Sequence, residues 1–217
     1  MKKTHLVVLL DRSGSMQTNL REHEGGLRDF VDKQRGFADV YMTFIRFDGN
    51  NPFDLVFNRQ LISTVSADDL KINPRGMTPL YDAIGKACHH IDSLKEDDDV
   101  ILLIITDGIE NDSREYKIEK VRELISGKRG DGWQVVFLGG DIDAASVSAS
   151  VGISGSSAAK FTNTNASVVY RSLGNKLSTG HSLKANSLTQ EEATNALIQA
   201  TTFTDEERES YNSIAQQ

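Results

Sequence analysis

Residues 5–16 read His5-Leu6-Val7-Val8-Leu9-Leu10-Asp11-Arg12-Ser13-Gly14-Ser15-Met16. Five consecutive apolar side chains, with no polar residue to give the run a wet face, describe a strand covered on both sides, as strands of parallel sheets are. The run stops at Asp11, and a polar turn built around a glycine follows. A secretory leader needs roughly 7–15 apolar residues and a small-residue cleavage site, which this stretch lacks. No other apolar run approaches the roughly 18 residues of a membrane span. A soluble, cytoplasmic chain is the expectation.

Outward from this stretch, short apolar runs alternate with longer helix-periodic ones. The strand candidates are His5–Leu10, Val40–Phe47, Phe53–Phe57, Val100–Thr106, Gln134–Leu138 and a weaker Ala158–Thr162. Val100–Ile105 and Val135–Leu138 are continuous and predict central strands, whereas the mixed Tyr41–Phe47 predicts a place nearer an edge. Between them, Leu80, Ala83, Ile84, Ala87, Cys88, Ile91 and Leu94 recur at steps of three and four, the apolar stripe of a helix. Shorter stripes run through Leu27, Phe30 and Val31, and through Ile118, Val121, Leu124 and Ile125. Alternation of strand and helix predicts βαβ units and a doubly wound, mostly parallel α/β sheet with helices on both faces. The short gap around Asp48 predicts one hairpin-connected antiparallel edge strand.

Residues 163–185 predict another helix, ending near Gly180, so residues 1–180 read as the α/β domain and 181–217 as a helical C-terminal extension. Within the extension, Thr189…Glu192 and Thr204…Glu207 each match a capping box and announce two short helices.

Composition narrows the function classes. Among 217 residues, 31 Asp+Glu against 24 Lys+Arg leave a net charge of −7, which argues against a general nucleic-acid binder, since such a protein needs a basic face for the phosphates. No Lys/Arg run marks a membrane-surface patch. Cys88 is the single cysteine, which excludes an intramolecular disulfide and a Cys-rich zinc cage.

In open α/β sheets, ligands bind beyond the C-terminal ends of the strands, near the switch in strand order. Asp11-Arg12-Ser13-Gly14-Ser15 follows the first strand, Thr106-Asp107-Gly108 follows the fourth, and Arg75-Gly76-Met77-Thr78-Pro79 opens a helix between them, with Pro79 suited to the first helical position. Asp11, Ser13 and Ser15 alternate, so an extended turn would let their side chains converge. With Thr78 and Asp107 they make an all-oxygen donor set. Such donors suit a hard divalent cation, Mg²⁺ or Mn²⁺, where zinc would favour His or Cys.

These residues resemble the von Willebrand factor A (vWA) domain and its metal-ion-dependent adhesion site (MIDAS), in the small stand-alone form of bacteria and their phages. Asp-x-Ser-x-Ser, the later Thr and Thr-Asp-Gly stand in the family's order, over roughly residues 4–180. The resemblance implies that Asp11, Ser13, Ser15, Thr78 and Asp107 hold the ion. The hydroxyls would bind it directly and the two carboxylates largely through waters. It also implies a partner protein that presents Asp or Glu to the open position, with an AAA+ ATPase as the candidate partner class, and a last helix that shifts when Thr78 changes its ligation.

Single residues have plainer readings. Asp11 and Ser13 could be helix caps. Arg12 could face solvent or a partner. Glu110, Asn111 and Asp112 read as a polar loop, and Asp141 and Asp143 as caps. Glu96–Asp99 reads as a solvated turn, Cys88 as core, and His89 and His90 as surface. The expected function is a metal-dependent protein-binding module and not an enzyme, because no general base or nucleophile accompanies the motif. Two other classes stand beside it: a Mg²⁺-dependent phosphohydrolase, and a self-assembling subunit whose tail, through Glu206 or Glu207, fills a neighbour's site. Ser13 stands where a nucleophilic-Asp phosphatase wants its second Asp, and no phosphate-binding glycine loop is present.

Overall fold

A computed structural model describes residues 1–18, 20–140, 143–162 and 164–214. The chain runs β1 (Thr4–Asp11), α1 (Leu20–Asp32), β2 (Val40–Asp48), β3 (Asn51–Leu61), α2 (Leu80–Leu94), β4 (Asp99–Thr106), α3 (Ile118–Gly130), β5 (Gln134–Gly140), α4 (Ala144–Ser150), β6 (Ala158–Phe161), α5 (Ala166–Ala185), α6 (Gln190–Ala200) and α7 (Asp205–Ile214). One six-stranded sheet has the order β3-β2-β1-β4-β5-β6. All neighbours are parallel except β2 and β3, which form the expected antiparallel edge hairpin. The order reverses across β1 and β4, so Asp11 and Thr106 end the two strands that flank the crevice.

β1 shows why the continuous apolar run was needed. Leu6, Val8 and Leu10 enter one core with α1 and α5, while Val7 and Leu9 enter the other with α2 and α3. β3 is longer than the expected Phe53–Phe57, continuing through polar Asn58, Arg59 and Gln60. An edge strand keeps one side in water, so polar residues remain in its ladder; register shifts against β2 and a positive φ of 42° at Arg59 bend it. Pro79 stands one residue before its expected place, at the N-cap of α2. Both positions tolerate a missing N–H, since the first helical donors have no intrahelical partner.

α5 runs to Ala185, five residues beyond the expected end at Gly180, because Gly180 packs against the next helix instead of terminating its own: a Cβ there would sit 2.6 Å from Ala200 Cβ. Leu197, Ala200, Phe203 and Tyr211 of the extension join the α1/α5 core. Both capping boxes form: Thr189 Oγ1 accepts from Glu192 N at 3.1 Å, and Thr204 Oγ1 from Glu207 N at 3.2 Å, each glutamate accepting in return from the threonine N–H. Glu207 also takes both its oxygens to Lys176 Nζ, at 2.8 and 2.6 Å. In the acidic run leading into β4, Glu96 and Asp97 are exposed, as a solvated turn requires, but the next two residues depart from it. Asp98 is held by Arg59 Nε at 2.9 Å and Asp99 by Lys184 Nζ at 2.7 Å. Among the described residues no helix is long and apolar enough to cross a membrane.

Candidate metal centre

Asp11 ends β1 fully buried, and its two carboxylate oxygens point to different partners. Oδ1 accepts from the Ser13 N–H at 2.6 Å and Oδ2 from the Thr106 hydroxyl at 2.6 Å. Both partners are neutral. Burial therefore dominates and pushes the Asp11 carboxyl up to about 7, against the pull of those hydrogen bonds, with the Asp107 charge adding to the rise.

The turn after Asp11 is not extended. Gly14–Gln17 form a short 3₁₀ helix, and that tight turn brings Ser13 Oγ within 3.0 Å of Ser15 Oγ. Ser15 Oγ donates to Asp107 Oδ1 at 2.6 Å. An ion with ligands at about 2.1 Å in octahedral array holds neighbouring oxygens about 3.0 Å apart. The Ser13–Ser15 spacing matches such an edge. Thr78, nearly buried, comes from the third side, with Oγ1 only 2.7 Å from where a Cβ on Gly108 would lie; a side chain at Gly108 would displace it. Four of the five residues thus meet at one rim, Ser13, Ser15 and Asp107 in a hydrogen-bonded chain with Asp11 bonded to the Ser13 N–H, and Thr78 packs on Gly108, the neighbour of Asp107. Among the described residues no three His, Cys, Asp or Glu side chains cluster as a metal site; this set is mostly hydroxyl.

A scaffold invisible in the motif holds these loops. The Gly14 N–H donates to Gly76 O at 3.0 Å, and the Arg75 N–H to Arg12 O at 2.7 Å, tying the first loop to the Thr78 loop. Asn111 closes the other side: its Oδ1 accepts from Thr78 N at 2.8 Å and its own N–H donates to Thr78 O at 3.1 Å. Glu110 Oε2 accepts from Tyr81 N at 2.9 Å in the first turn of α2, and Asp82 accepts from the N–H groups of Arg114, Glu115 and Tyr116. Glu110 and Asn111 are therefore struts of the site, where the sequence suggested an ordinary loop.

Arg12 does not face solvent. It is buried, bonded to Asp48 and to Asp54 Oδ2 at 2.8 Å, because β2 and β3 deliver two carboxylates beside the loop. Burial works to raise the Asp48 carboxyl, but the Asn50 N–H and the guanidinium groups of Arg12 and Arg75 outweigh it and hold it below its usual value. Asp143 caps α4, its Oδ1 accepting from Ser146 N at 3.1 Å. Asp141 lies outside the described residues. Cys88 is core, and burial pushes its thiol up to about 12. His89 is exposed and His90 half-buried.

No family model matches the chain, and no curated protein matches it. Solved structures do. A von Willebrand factor type A structure from Catenulispora acidiphila superposes with a TM-score of 0.63 at 12% identity, covering 82% of this chain and 43% of that one. The pilus adhesin SpaC from Lactobacillus rhamnosus GG, in an open conformation, gives 0.69 at 11% identity over 83% and 30%. The vWF domain of the type V pili tip protein Mfa5 from Porphyromonas gingivalis gives 0.60 at 8% over 82% and 96%. The chain spans less than half the length of several structures it resembles. At such identities the likeness concerns the path of the backbone, and it gives this chain the von Willebrand factor A fold.

Proposed function

We propose that the chain is a metal-dependent protein-binding module, not an enzyme, whose rim takes Mg²⁺ or Mn²⁺ and offers it to a carboxylate of a partner. The observation that carries the reading is the convergence of Ser13, Ser15 and Asp107 oxygens at 2.6–3.0 Å over a buried Asp11 whose hydrogen-bond partners are neutral. Ser13, Ser15 and Thr78 would supply neutral hydroxyl ligands. Asp107 stands in the hydrogen-bonded chain, and Asp11, with both oxygens engaged, acts from behind through water and the electric field. A cation held mainly by neutral oxygens keeps most of its charge and favours an anionic oxygen at an open position. Two of the compared structures are a pilus adhesin and a pilus tip protein, and this supports protein capture as the task. In this reading the module works in the cytoplasm, and an AAA+ ATPase presenting Asp or Glu is the partner class put forward.

The test has two parts. Calorimetric titration with Mg²⁺ and Mn²⁺ should give saturable binding that Ser13→Ala and Asp107→Ala abolish. Affinity capture in Mg²⁺ against EDTA should then recover a partner with wild type only. Absence of ion binding in wild type overturns the reading.

A further inference from the structure

Thr78 and Asp107 stand on different elements, yet the segment after Asp107 is fastened to the start of α2 from both directions. The Thr78 N–H donates to Asn111 Oδ1 at 2.8 Å, the Tyr81 N–H to Glu110 Oε2 at 2.9 Å and the Asp82 N–H to Ser113 Oγ at 3.0 Å. N–H groups at the start of a helix have no partner inside it, and here side chains beyond Asp107 receive them. In return Asp82, nearly buried, accepts from the N–H groups of Arg114, Glu115 and Tyr116 at 2.8–2.9 Å. The fastening continues along the first two turns of α2. Lys86 Nζ reaches Glu115 Oε1 at 2.7 Å, and Gly85 leaves room for the Tyr116 ring, since a Cβ there would lie 2.4 Å from it. Both oxygens of each acid are engaged in this clamp. Glu110 Oε1 accepts from Asp112 N at 3.0 Å and Ser113 N at 2.7 Å, and its Oε2 accepts from the Ser113 hydroxyl at 2.7 Å besides Tyr81.

We propose that Asp82 and Glu110, with Asn111, are positioning residues that set which divalent ion the rim accepts. This rests on the metal-binding reading above and adds what tunes that site. Mg²⁺ demands near-ideal octahedral geometry at about 2.1 Å, whereas Ca²⁺ takes more oxygens, at about 2.3–2.6 Å, in flexible arrays. The 3.0 Å between Ser13 Oγ and Ser15 Oγ suits the smaller ion; at the calcium distance octahedral neighbours would stand about 3.4 Å apart. A wider site needs a ligand-bearing segment to move. The clamp makes the Thr78 and Asp107 segments one body, so that adjustment is denied, and preference for Mg²⁺ over Ca²⁺ depends on hydrogen bonds that never touch the ion.

Calorimetric titration of the full chain with Mg²⁺ and, separately, with Ca²⁺ tests it, the readout being the ratio of the two affinities. Wild type should favour Mg²⁺. Glu110→Gln and Asp82→Asn keep the shape, but an amide has one acceptor oxygen and must turn its NH₂ group towards an N–H of the clamp. Each should lower the ratio about tenfold, the worth of one charge-assisted hydrogen bond, chiefly by weakening Mg²⁺. Asn111 is exposed, so Asn111→Ala keeps the fold and decides the matter if the buried variants do not fold; it should lower the ratio in the same direction. Asn111→Asp, which retains an acceptor oxygen, should restore it, because its added charge acts on both ions alike. A merely structural clamp would lower Tm in EDTA and leave the ratio unchanged. That result, a ratio lowered equally in Asn111→Asp, or a wild type that binds both ions equally, overturns this inference and leaves the metal site standing. A wild type that binds neither ion overturns both.

Discussion

The two ends of β1 treat buried acid in opposite ways. At the N-terminal end, Lys184 Nζ, almost completely buried, reaches Thr4 Oγ1 at 2.7 Å and Asp99 Oδ2 at 2.7 Å, and Gln190 donates to the same carboxylate; Asp98 next door is held by Arg59. At the C-terminal end Asp11 is more deeply buried than Asp99, yet its hydrogen bonds come from a backbone N–H and a hydroxyl. A buried carboxylate is costly unless paired. Positive charge arrives at the lower end from distant parts of the same chain. In the proposed reading a divalent cation would play that part at the upper end, which would then bind where the lower end holds the fold.

The largest effect should come from breaking the lower pair. Lys184→Ala leaves Asp99 without its cation and is expected to cost about 3 kcal/mol, the low end for a buried pair because Asp99 keeps 15% of its side chain exposed. In a chain of this size that lowers Tm by about 6–12 °C. Lys184→Met, which keeps the stem, should recover little; full recovery would mean that packing and not charge holds this end. At the upper end, Mg²⁺ at about 100 times its Kd should stabilise wild type by about 2.7 kcal/mol, or about 5–10 °C. Ser13→Ala should show no such rise while melting normally in EDTA. A rise that persists in Ser13→Ala would place the ion elsewhere.

The same contrast explains what could be read from the sequence. Upper-end chemistry is local: Asp11, Ser13 and Ser15 lie within one turn of chain, and Thr106-Asp107 ends a strand whose continuous apolar run marks it as central. The alternating strands and helices, the hairpin edge and both capping boxes were legible for the same reason, since each is written in a few neighbouring residues. The lower end is written in pairs far apart. Asp98 and Asp99 look like a solvated acidic run until Arg59 and Lys184 are folded against them, and nothing near Lys184 distinguishes it from a surface lysine. Arg12 was unreadable likewise, its partners Asp48 and Asp54 arriving with the edge hairpin. Glu110, Asn111 and Asp82 act on backbone N–H groups, and such bonds leave no residue pattern in the chain that receives them.

Acid should weaken the lower end next. His5 on β1, bonded to Thr43 Oγ1 at 2.7 Å, and His181 on α5, against the Phe37 ring at 5.1 Å, are both buried, and burial pushes each down to about 4. For His181 the Lys184 charge adds to the depression and Asp39 opposes it. These imidazoles are neutral in the fold and take up protons near 6.5 when unfolded, so the unfolded chain binds more protons between those values. Their contribution is complete above about pH 6.5 and lost as pH falls towards 4. At pH 5 each costs about 2 kcal/mol. The difference in unfolding free energy between wild type and His181→Phe, taken from denaturant titrations between pH 7.5 and pH 5, should change by about that amount. A constant difference would mean that His181 stays accessible to protons in the fold.

The smallest effect bears on how firmly the extension closes the lower end. Gly180→Ala sets two changes against each other. Alanine in a helix interior gains about 0.5–1 kcal/mol over glycine, but the new Cβ would meet Ala200 Cβ at 2.6 Å and Ala196 O at 3.2 Å, and overpacking of that kind costs about 1–3 kcal/mol. Neither obstacle is the end of a flexible side chain, so relief requires α6 to move bodily, and α6 is fixed by its capping box, by Leu197 and Ala200 in the core, and by Gln190 on Asp99. The steric cost should win, lowering Tm by a few degrees. Thermal unfolding decides the sign. A raised Tm would show α6 yielding at little cost, which would make the extension a cover that gives way over α5 and leave the Lys184–Asp99 pair to hold that end of β1.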